Sequence, residues 1–322
     1  MNKATFARTN RIAILCLLLA TAMLALRIYD LQTLSEQTHT IHLPTLGSLP
    51  FEIKSISLNN GRHQIIVNTQ LGFPLVIDKR DGIVGWHLLD SGLWEKHITQ
   101  VLNRLVAKGD TVIEVGANYG YHTIHLSQLI GDSGKLFTYE ANDEVCTILN
   151  KNIILNDTQH NTHMSCSAVT DHLNKVVFLT GYSNLGGSFV LGPNADQTFL
   201  LGEKQFKDWK KKTVASTTLD YDLKNLKNID ILRMDAEGSE LAIINGAEKL
   251  IDASPNLKLI MEWNTSMLSR FGAVEKLLNH LENKGFKFYL INQDSTLLEK
   301  TKVEMLKLPA CDVVFSRTPL PL

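Results

Sequence analysis

From residue 111 onwards, short apolar segments alternate with longer segments in which apolar residues recur every three or four positions. The short segments predict buried strands, and the longer period predicts amphipathic helices. Strands that alternate with helices in this way form a sheet covered by helices on both faces. We therefore predict an α/β fold that is doubly wound and mostly parallel. The predicted strands are 111–115, 135–140, 162–168, 229–234, 257–262, 286–291 and 312–315, and the predicted helices are 121–130, 143–156, 240–251 and 274–284.

A shorter strand-rich region precedes this pattern. Residues 51–58, 63–68 and 74–78 are apolar or β-branched and are separated by turn residues, so they predict a small antiparallel cap. The period of residues 93–107 predicts one helix, and the polar segment 31–50 is typical of a linker. The predicted organisation is an N-terminal segment (1–30), the linker (31–50), the cap strands with their helix (51–108) and a main domain (109–322).

The N-terminal segment contains a continuous apolar stretch. Residues 12–26 are apolar except for Thr21, and basic residues precede them. The stretch is shorter than the ~20 residues that cross a bilayer, although residues 27–31 extend it at the interface. It predicts membrane association through a single-pass N-terminal hydrophobic helix, with a cleaved signal as the alternative. The basic residues favour a main domain on the far side of the membrane, but the charge excess is small and the side stays open.

Charge and cysteine content exclude some classes of partner. The net charge is −1 and the isoelectric point is about 6.8, so we predict no nucleic-acid partner. The four cysteines, at positions 16, 146, 166 and 311, lack the spacing of a zinc site. We interpret them as small buried residues, and their wide separation favours a reducing compartment.

The segment VIEVGANYGYHT (112–123) is an apolar strand that leads through a glycine loop into a helix. Gly116 and Gly120 allow the backbone to pass close to a ligand at the carboxyl end of the sheet. The loop lacks the GxGxxG spacing of a dinucleotide site, and Glu114 would repel phosphate, so a positively charged cofactor fits better. Glu140 ends the next strand at the offset of about 20 residues that is usual for a carboxylate binding ribose hydroxyls.

A second group of acids follows a later strand. The segment IDILRMDAEGSE (229–240) delivers Asp235 and Glu237 to the same edge of the sheet, although either residue would also suit the start of the next helix. His122 is a further candidate base, with a histidine of no catalytic role as the alternative. Glu262 and Asn264 offer oxygen ligands, but we predict no metal site.

These motifs resemble the FkbM-type methyltransferase family. The resemblance rests on EVGANYGYHT, YEAND, TTLDYDL, IDILRMDAEGSELAIINGA and LIMEWN, and it covers roughly residues 90–290. It implies a Rossmann-like methyltransferase sheet, S-adenosylmethionine as cofactor and O-methylation of a sugar, glycan or natural-product hydroxyl. The cofactor-binding residues that it implies are Glu114, Gly116, Ala117, Asn118, Gly120, Glu140 and Asp235. Asp235 and Glu237 fall where the family's motif faces the transferred methyl group, and with His122 they are the candidate catalytic residues.

The predicted function is therefore S-adenosylmethionine-dependent methyl transfer to a hydroxyl group. Positioning of the acceptor supplies most of the rate enhancement of such a displacement, and a base removes the proton. Residues 171–228 interrupt the alternating pattern and are predicted to cover the acceptor. The alternatives are a membrane-tethered binding module that keeps the fold without catalysis, and a nicotinamide-dependent oxidoreductase, which the missing GxGxxG disfavours.

Overall fold

The computed structural model describes residues 63–181, 184–193 and 209–320. The predicted hydrophobic helix, the linker and the first cap strand, all within residues 1–62, lie outside the described residues. Within the described ranges, no helix is long and apolar enough to cross a membrane.

Strands and helices alternate through most of the described chain. The strands are β1 (Gln64–Asn68), β2 (Pro74–Asp78), β3 (Thr111–Val115), β4 (Lys135–Tyr139), β5 (Thr162–Ser165), β6 (Ala168–Val169), β7 (Asn174–Thr180), β8 (Phe189–Val190), β9 (Lys210–Thr217), β10 (Ile231–Met234), β11 (Lys258–Trp263), β12 (Lys287–Ile291), β13 (Leu297–Lys300) and β14 (Cys311–Ser316). The helices are α1 (Val84–Ser91), α2 (Lys96–Leu105), α3 (Tyr121–Ile130), α4 (Asp143–Leu155), α5 (Leu219–Asp222), α6 (Glu240–Asn245), α7 (Glu248–Asp252), α8 (Thr265–Leu268), α9 (Val274–Asn283) and α10 (Lys302–Met305).

The central sheet has eight strands in the order β13-β12-β14-β11-β10-β3-β4-β5. Strands β11, β10, β3, β4 and β5 are parallel, whereas β14, β12 and β13 join through antiparallel pairs. Val112, Ile113 and Val115 of β3 are buried, and each such side chain stabilises the fold by about 1.5–3 kcal/mol. The predicted α/β class with a mostly parallel sheet is confirmed, and its buried centre gives the strand ends a rigid support.

A hairpin packs beside this sheet. Strands β1 and β2 pair in antiparallel register, from Gln64 opposite Asp78 to Asn68 opposite Pro74, as the cap pattern predicts. The buried Asn152 side chain of α4 accepts a hydrogen bond from the Val76 amide at 2.6 Å and donates one to the Val76 carbonyl at 2.8 Å. The Asn152 side chain thus pairs with both backbone groups of Val76 in β2, as a residue of a neighbouring strand would.

The segment predicted as a cover over the acceptor contains three strands of a second sheet, ordered β6-β9-β7-β8, and β6 lies just before it. The predicted strand 162–168 is wrong in its second half, because β5 ends at Ser165 and β6 pairs with β9 instead. An apolar run shows burial but not the sheet to which each residue belongs. The predicted helix 240–251 is also divided, into α6 and α7. At the break, a Cβ atom on Gly246 would lie 2.0 Å from the Thr170 carbonyl oxygen.

Two cysteines form a disulfide that their spacing in the sequence does not predict. Cys146 of α4 and Cys166, which follows β5, are joined with their Cα atoms 5.8 Å apart. The interpretation as separate thiols is wrong for this pair, since a separation of 20 positions does not reveal proximity in the fold, and the reducing compartment that it favoured loses its support. Cys311 is free and half-buried, and Cys16 lies outside the described residues.

Candidate active-site cleft

A cavity of about 450 Å³ lies at the carboxyl ends of β3, β4, β10 and β11. This is the edge at which doubly wound sheets bind their ligands. Most of the predicted site residues line this one cavity, although they come from three separate stretches of sequence. These lining residues are Gly116, Ala117, Asn118, His122, Glu140, Asp235 and Glu237. The two predicted residues that do not line it are Glu114 and Gly120.

The glycine loop owes its composition to close packing. Gly116 has φ +83°, and a Cβ atom there would lie 1.7 Å from the backbone oxygen of Asp235. Gly120 has φ +90°, and its Cβ atom would lie 2.7 Å from a methyl carbon of Leu149. Both glycines are thus required by neighbouring protein atoms and by a backbone conformation that favours glycine. Gly116 lines the cavity itself, whereas Gly120 contributes through the path that it allows the loop to take.

Glu140 is fixed by the backbone of the segments that surround it. Its Oε2 atom accepts a hydrogen bond from the Asn118 amide and its Oε1 atom accepts one from the Asn142 amide, both at 2.8 Å. Burial raises the pKa of Glu140 to about 7, against the opposing effect of these amides. A carboxylate has about four acceptor sites, so each oxygen retains capacity for a ligand hydroxyl.

Glu114 lies beneath the cavity. Its carboxylate is fully buried and accepts hydrogen bonds from Thr123 Oγ1 at 2.5 Å and Thr138 Oγ1 at 3.1 Å. The guanidinium of Arg233, on the adjacent β10, approaches it at 3.5 Å. In the structure, Glu114 therefore supports Arg233 and α3 and does not line the cavity, so its direct contact with the cofactor stays a prediction.

Asp235 and Glu237 face the cavity in a crowded negative environment. Arg233 Nη2 donates to Asp235 Oδ2 at 3.1 Å. Burial, followed by the charge of Glu95, raises the pKa of Asp235 to about 6. Glu237 has a left-handed backbone with φ +52°, and burial together with Asp235 raises its pKa to about 8. Near neutral pH, Asp235 is thus mainly ionised and Glu237 mainly protonated.

Several cavity residues were absent from the sequence prediction or had no role in it. Glu95 precedes α2, Asp312 lies on β14, and Glu262 of β11 was considered only as a metal ligand. Glu262 pairs with Asp312 across the antiparallel register, and burial followed by neighbouring acids raises the pKa of Glu262 to about 9. Arg233 gave one signal in the sequence, because a charge inside an otherwise apolar strand needs a buried partner. Glu95 and Asp312 gave none.

His122 is buried and contacts the Glu95 carboxylate. Its Nε2 atom lies 3.0 Å from Glu95 Oε2, and the side chain is 4% exposed. Burial and the charge of Arg233 hold the pKa of His122 well below its usual value, so the ring is neutral. Its Nδ1 atom has no hydrogen-bond partner among the described residues.

The part of the chain that the structure describes contains no group of three or more histidine, cysteine or acidic residues arranged to hold a metal ion.

Comparison with known proteins gives one match to a family model and several solved structures of low sequence identity. None of the curated proteins matches the chain. The fold is similar to an S-adenosylmethionine-dependent O-methyltransferase from Thermotoga maritima, with TM-score 0.39, 13% identity, and 89% of this chain and 88% of that chain covered. An O-methyltransferase from Bacillus cereus in complex with S-adenosylhomocysteine gives TM-score 0.39, 11% identity, and 69% and 78% coverage. A precorrin-6y C5,15-methyltransferase from Geobacter metallireducens gives TM-score 0.37, 11% identity, and 69% and 87% coverage.

The family model named Methyltransferase FkbM domain matches residues 114–288. This range begins at Glu114 in β3 and extends through Phe288 in β12, so it includes the end of β3 and the whole of the other four parallel strands of the central sheet. More than half of the 322 residues are matched, and the chain belongs to the FkbM methyltransferase domain family.

Proposed function

We propose that this domain methylates a hydroxyl group of a small molecule or glycan, with S-adenosylmethionine as the methyl donor. The observation that carries the proposal is the joining, in one cavity, of the glycine loop with Glu140 on one side and of Asp235 with Glu237 on the other. Membership of a methyltransferase family supports the same chemistry.

The residues of the cavity fit this cofactor. Glu140 is an acceptor for ribose hydroxyls, held in place by two backbone amides. The negative charge of Asp235 suits a sulfonium ion, whereas a dinucleotide phosphate would be repelled by it. When bound, S-adenosylmethionine supplies an electrophilic methyl group. The chain's own residues then orient the acceptor, exclude water and receive its proton.

Asp235 is the residue best suited to receive the proton. Its pKa of about 6 lies just below neutral pH, so the carboxylate is ionised there and still basic enough to be effective. Glu237, with a pKa of about 8, is mostly protonated, so its carboxyl group is suited to donate a hydrogen bond rather than to receive a proton. Trp94 and Gln293 also line the cavity, and an aromatic face beside polar groups suits an acceptor that carries several hydroxyls.

Calorimetric titration of the chain with S-adenosylmethionine, S-adenosylhomocysteine and NAD tests the cofactor. We expect micromolar affinity for the two sulfur compounds, about −8 kcal/mol, and no heat with NAD. Binding of NAD alone would refute the proposal. A screen of hydroxylated acceptors with isotopically labelled methyl donor tests the reaction, and binding without turnover on any acceptor would favour the non-catalytic binding module.

We also propose that residues 12–26 keep the protein on membranes and that its domain lies on the extracytoplasmic side. The disulfide supports this side, because disulfides persist in oxidising compartments, and the basic residues before the apolar stretch favour it too. The cofactor would then have to reach that side of the membrane.

Three measurements test this location. Alkaline carbonate extraction should leave the protein in the membrane fraction, and loss of residues 1–22 from the mature chain would show a cleaved signal instead. Thiol alkylation of the unreduced protein should spare Cys146 and Cys166, whereas labelling of both would remove the support for an oxidising compartment.

A further inference from the structure

Glu95 has an unusual conformation for which its own helix gives no reason. It is the residue before α2 and has φ 43° and ψ 62°, in the left-handed region, yet its side chain makes no capping hydrogen bond to the helix. Non-glycine residues are held in this region where the surrounding structure imposes it, and such positions concentrate at functional sites. The side chain lines the cavity that contains Asp235.

The Glu95 carboxylate is connected to Asp235 through one atom of Arg233. Glu95 Oε2 lies 3.0 Å from His122 Nε2 and 3.3 Å from Arg233 Nη2. The same Nη2 atom donates to Asp235 Oδ2 at 3.1 Å. His122 is neutral and donates to Glu95, so it holds this carboxylate without adding charge. Arg233 is almost fully buried, which leaves its guanidinium little freedom to take another orientation.

Charges from several elements act on Asp235. Arg233 of β10 is the cation next to it. The acids that interact with it lie before α2, on β3, after β4, before and within α6, on β11 and on β14. The charged and titratable groups around it are Arg233, Glu95, Glu114, Glu140, Glu237, Glu240, Glu262, Asp312, His97 and His122. After burial, the charge of Glu95 is the largest influence on the pKa of Asp235, and it raises that pKa.

We propose that Glu95 is a positioning residue that, through Arg233, orients the Asp235 carboxylate and controls the charge that Asp235 presents to a cationic cofactor. This inference rests on the proposed function. Glu95 competes with Asp235 for the same guanidinium nitrogen. Without the Glu95 charge, the Nη2 atom of Arg233 would interact with Asp235 alone, and a negative neighbour of Asp235 would be lost. Both effects favour the ionised form of Asp235.

The ratio of two binding constants tests this role without any methyl acceptor. S-adenosylmethionine carries a sulfonium charge, and S-adenosylhomocysteine is a neutral thioether with the same adenosine and amino-acid parts. The ratio of their affinities therefore isolates the charge near the sulfur, and protonation of Glu140 largely cancels from it. In the wild type, we expect the preference for S-adenosylmethionine to increase with pH around an inflection near pH 6, the pKa of Asp235.

In Glu95→Gln, the inflection should move to lower pH by about 1 unit. Glu95→Asn, whose side chain tolerates a left-handed backbone better, is a second neutral variant and should give the same shift. Glu95→Asp keeps the charge and should retain an inflection close to that of the wild type. Glu299→Gln is the matched control, because it removes a glutamate from the exposed side of β13, where its partner is Lys287.

The outcomes separate this inference from the function on which it rests. If the wild type binds neither ligand, the proposed function is wrong. If the variants bind S-adenosylhomocysteine with unchanged affinity but keep the wild-type inflection, Glu95 does not control the charge of Asp235 and the inference is overturned. A loss of affinity for both ligands in equal proportion at every pH would show a purely structural role, and it would also overturn the inference.

Discussion

The two sides of the cleft neutralise their carboxylates by different means. On the β3–β4 side, Glu140 is held by the backbone amides of Asn118 and Asn142, each within 22 positions along the chain. On the β10 side, Asp235 is held by the Arg233 side chain, which also binds Glu95 and Glu114, at separations of 138 and 119 positions. One side is thus built mainly from local backbone, and the other from charged side chains of distant segments.

This difference should make the two sides respond differently to substitution. Most substitutions leave the backbone amides in place, and only proline removes one, so the β3–β4 side should lose ligand affinity while keeping its shape. The side-chain network has a single cation at its centre, so its failure should spread to every acid that depends on that cation. We therefore expect the effect of a substitution to be largest at Arg233, the centre of the network, and smallest at Glu140, which is held by the backbone.

Removal of Arg233 should have the largest effect. Arg233→Met leaves the fully buried Glu114 without its cation, and breaking a buried ion pair in this way costs about 3–5 kcal/mol of unfolding free energy. Burial already raises the pKa of Glu114, and loss of the cation raises it further above its value in the unfolded chain. The folded state then binds the proton more tightly, so stability falls as pH rises.

Urea unfolding at pH 5 and pH 8 measures this effect, and the deficit relative to the wild type should be greater at pH 8. Arg104→Met, at an exposed arginine of α2 that contacts the Ser295 carbonyl, is the control and should cost less than about 1 kcal/mol. Equal losses for the two variants would mean that the network contributes no more than a surface contact.

Substitution of the first loop glycine should disturb both sides at once. In Gly116→Ala, the new Cβ atom would lie 1.7 Å from the Asp235 backbone oxygen at φ +83°, so we expect a loss of about 2–4 kcal/mol in stability. Gly285→Ala is a matched control with φ +82° and no atom within 4 Å, and it should show only the backbone cost of about 1–2 kcal/mol. Similar thermal unfolding of the two variants would contradict the packing explanation.

Asp235→Asn should reduce kcat by about 100-fold, because it removes a proton acceptor while preserving the shape of the side chain. Glu237→Gln should have a smaller effect, since Glu237 with its pKa of about 8 is already mostly protonated near neutral pH. Single-turnover transfer to an identified acceptor provides the measurement. If Glu237→Gln loses the activity and Asp235→Asn retains it, the roles are reversed.

Glu140→Ala should have the smallest effect, confined to the cofactor. We expect an affinity loss of about 1.5–3 kcal/mol, the range for a hydrogen bond to a charged group, with little change in rate at saturation. Affinity in the wild type should also fall below about pH 7 as Glu140 becomes protonated. The control is Glu144→Ala, which removes an exposed glutamate in the first turn of α4. This variant should bind S-adenosylhomocysteine as the wild type does. Equal affinities for both variants would argue against a ribose contact at Glu140.

The accuracy of the sequence predictions follows the same division. The parallel strands from 111 to 262 and the gathering of Gly116, Asn118, Glu140 and Asp235 in one cavity were predictable, because strand ends in a parallel sheet meet at one edge. The two hydrogen bonds that hold Glu140 come from residues close to it in the sequence, so they belong to this predictable part of the site. By contrast, helix α1, the second sheet formed by β6 to β9 and the Cys146–Cys166 disulfide were not anticipated.

By itself, the sequence determined the fold class, the family and the residues that follow each parallel strand, since these depend on periodicity and on short-range loop chemistry. Only the tertiary structure decided that Glu114 lies beneath the cavity, that His122 is bound to Glu95, and that Arg233 links three acids. Those contacts join segments more than 100 positions apart in the case of Arg233 with Glu95 and Glu114. Buried charges must find partners wherever the packed chain places them, and no local pattern identifies which partner that is.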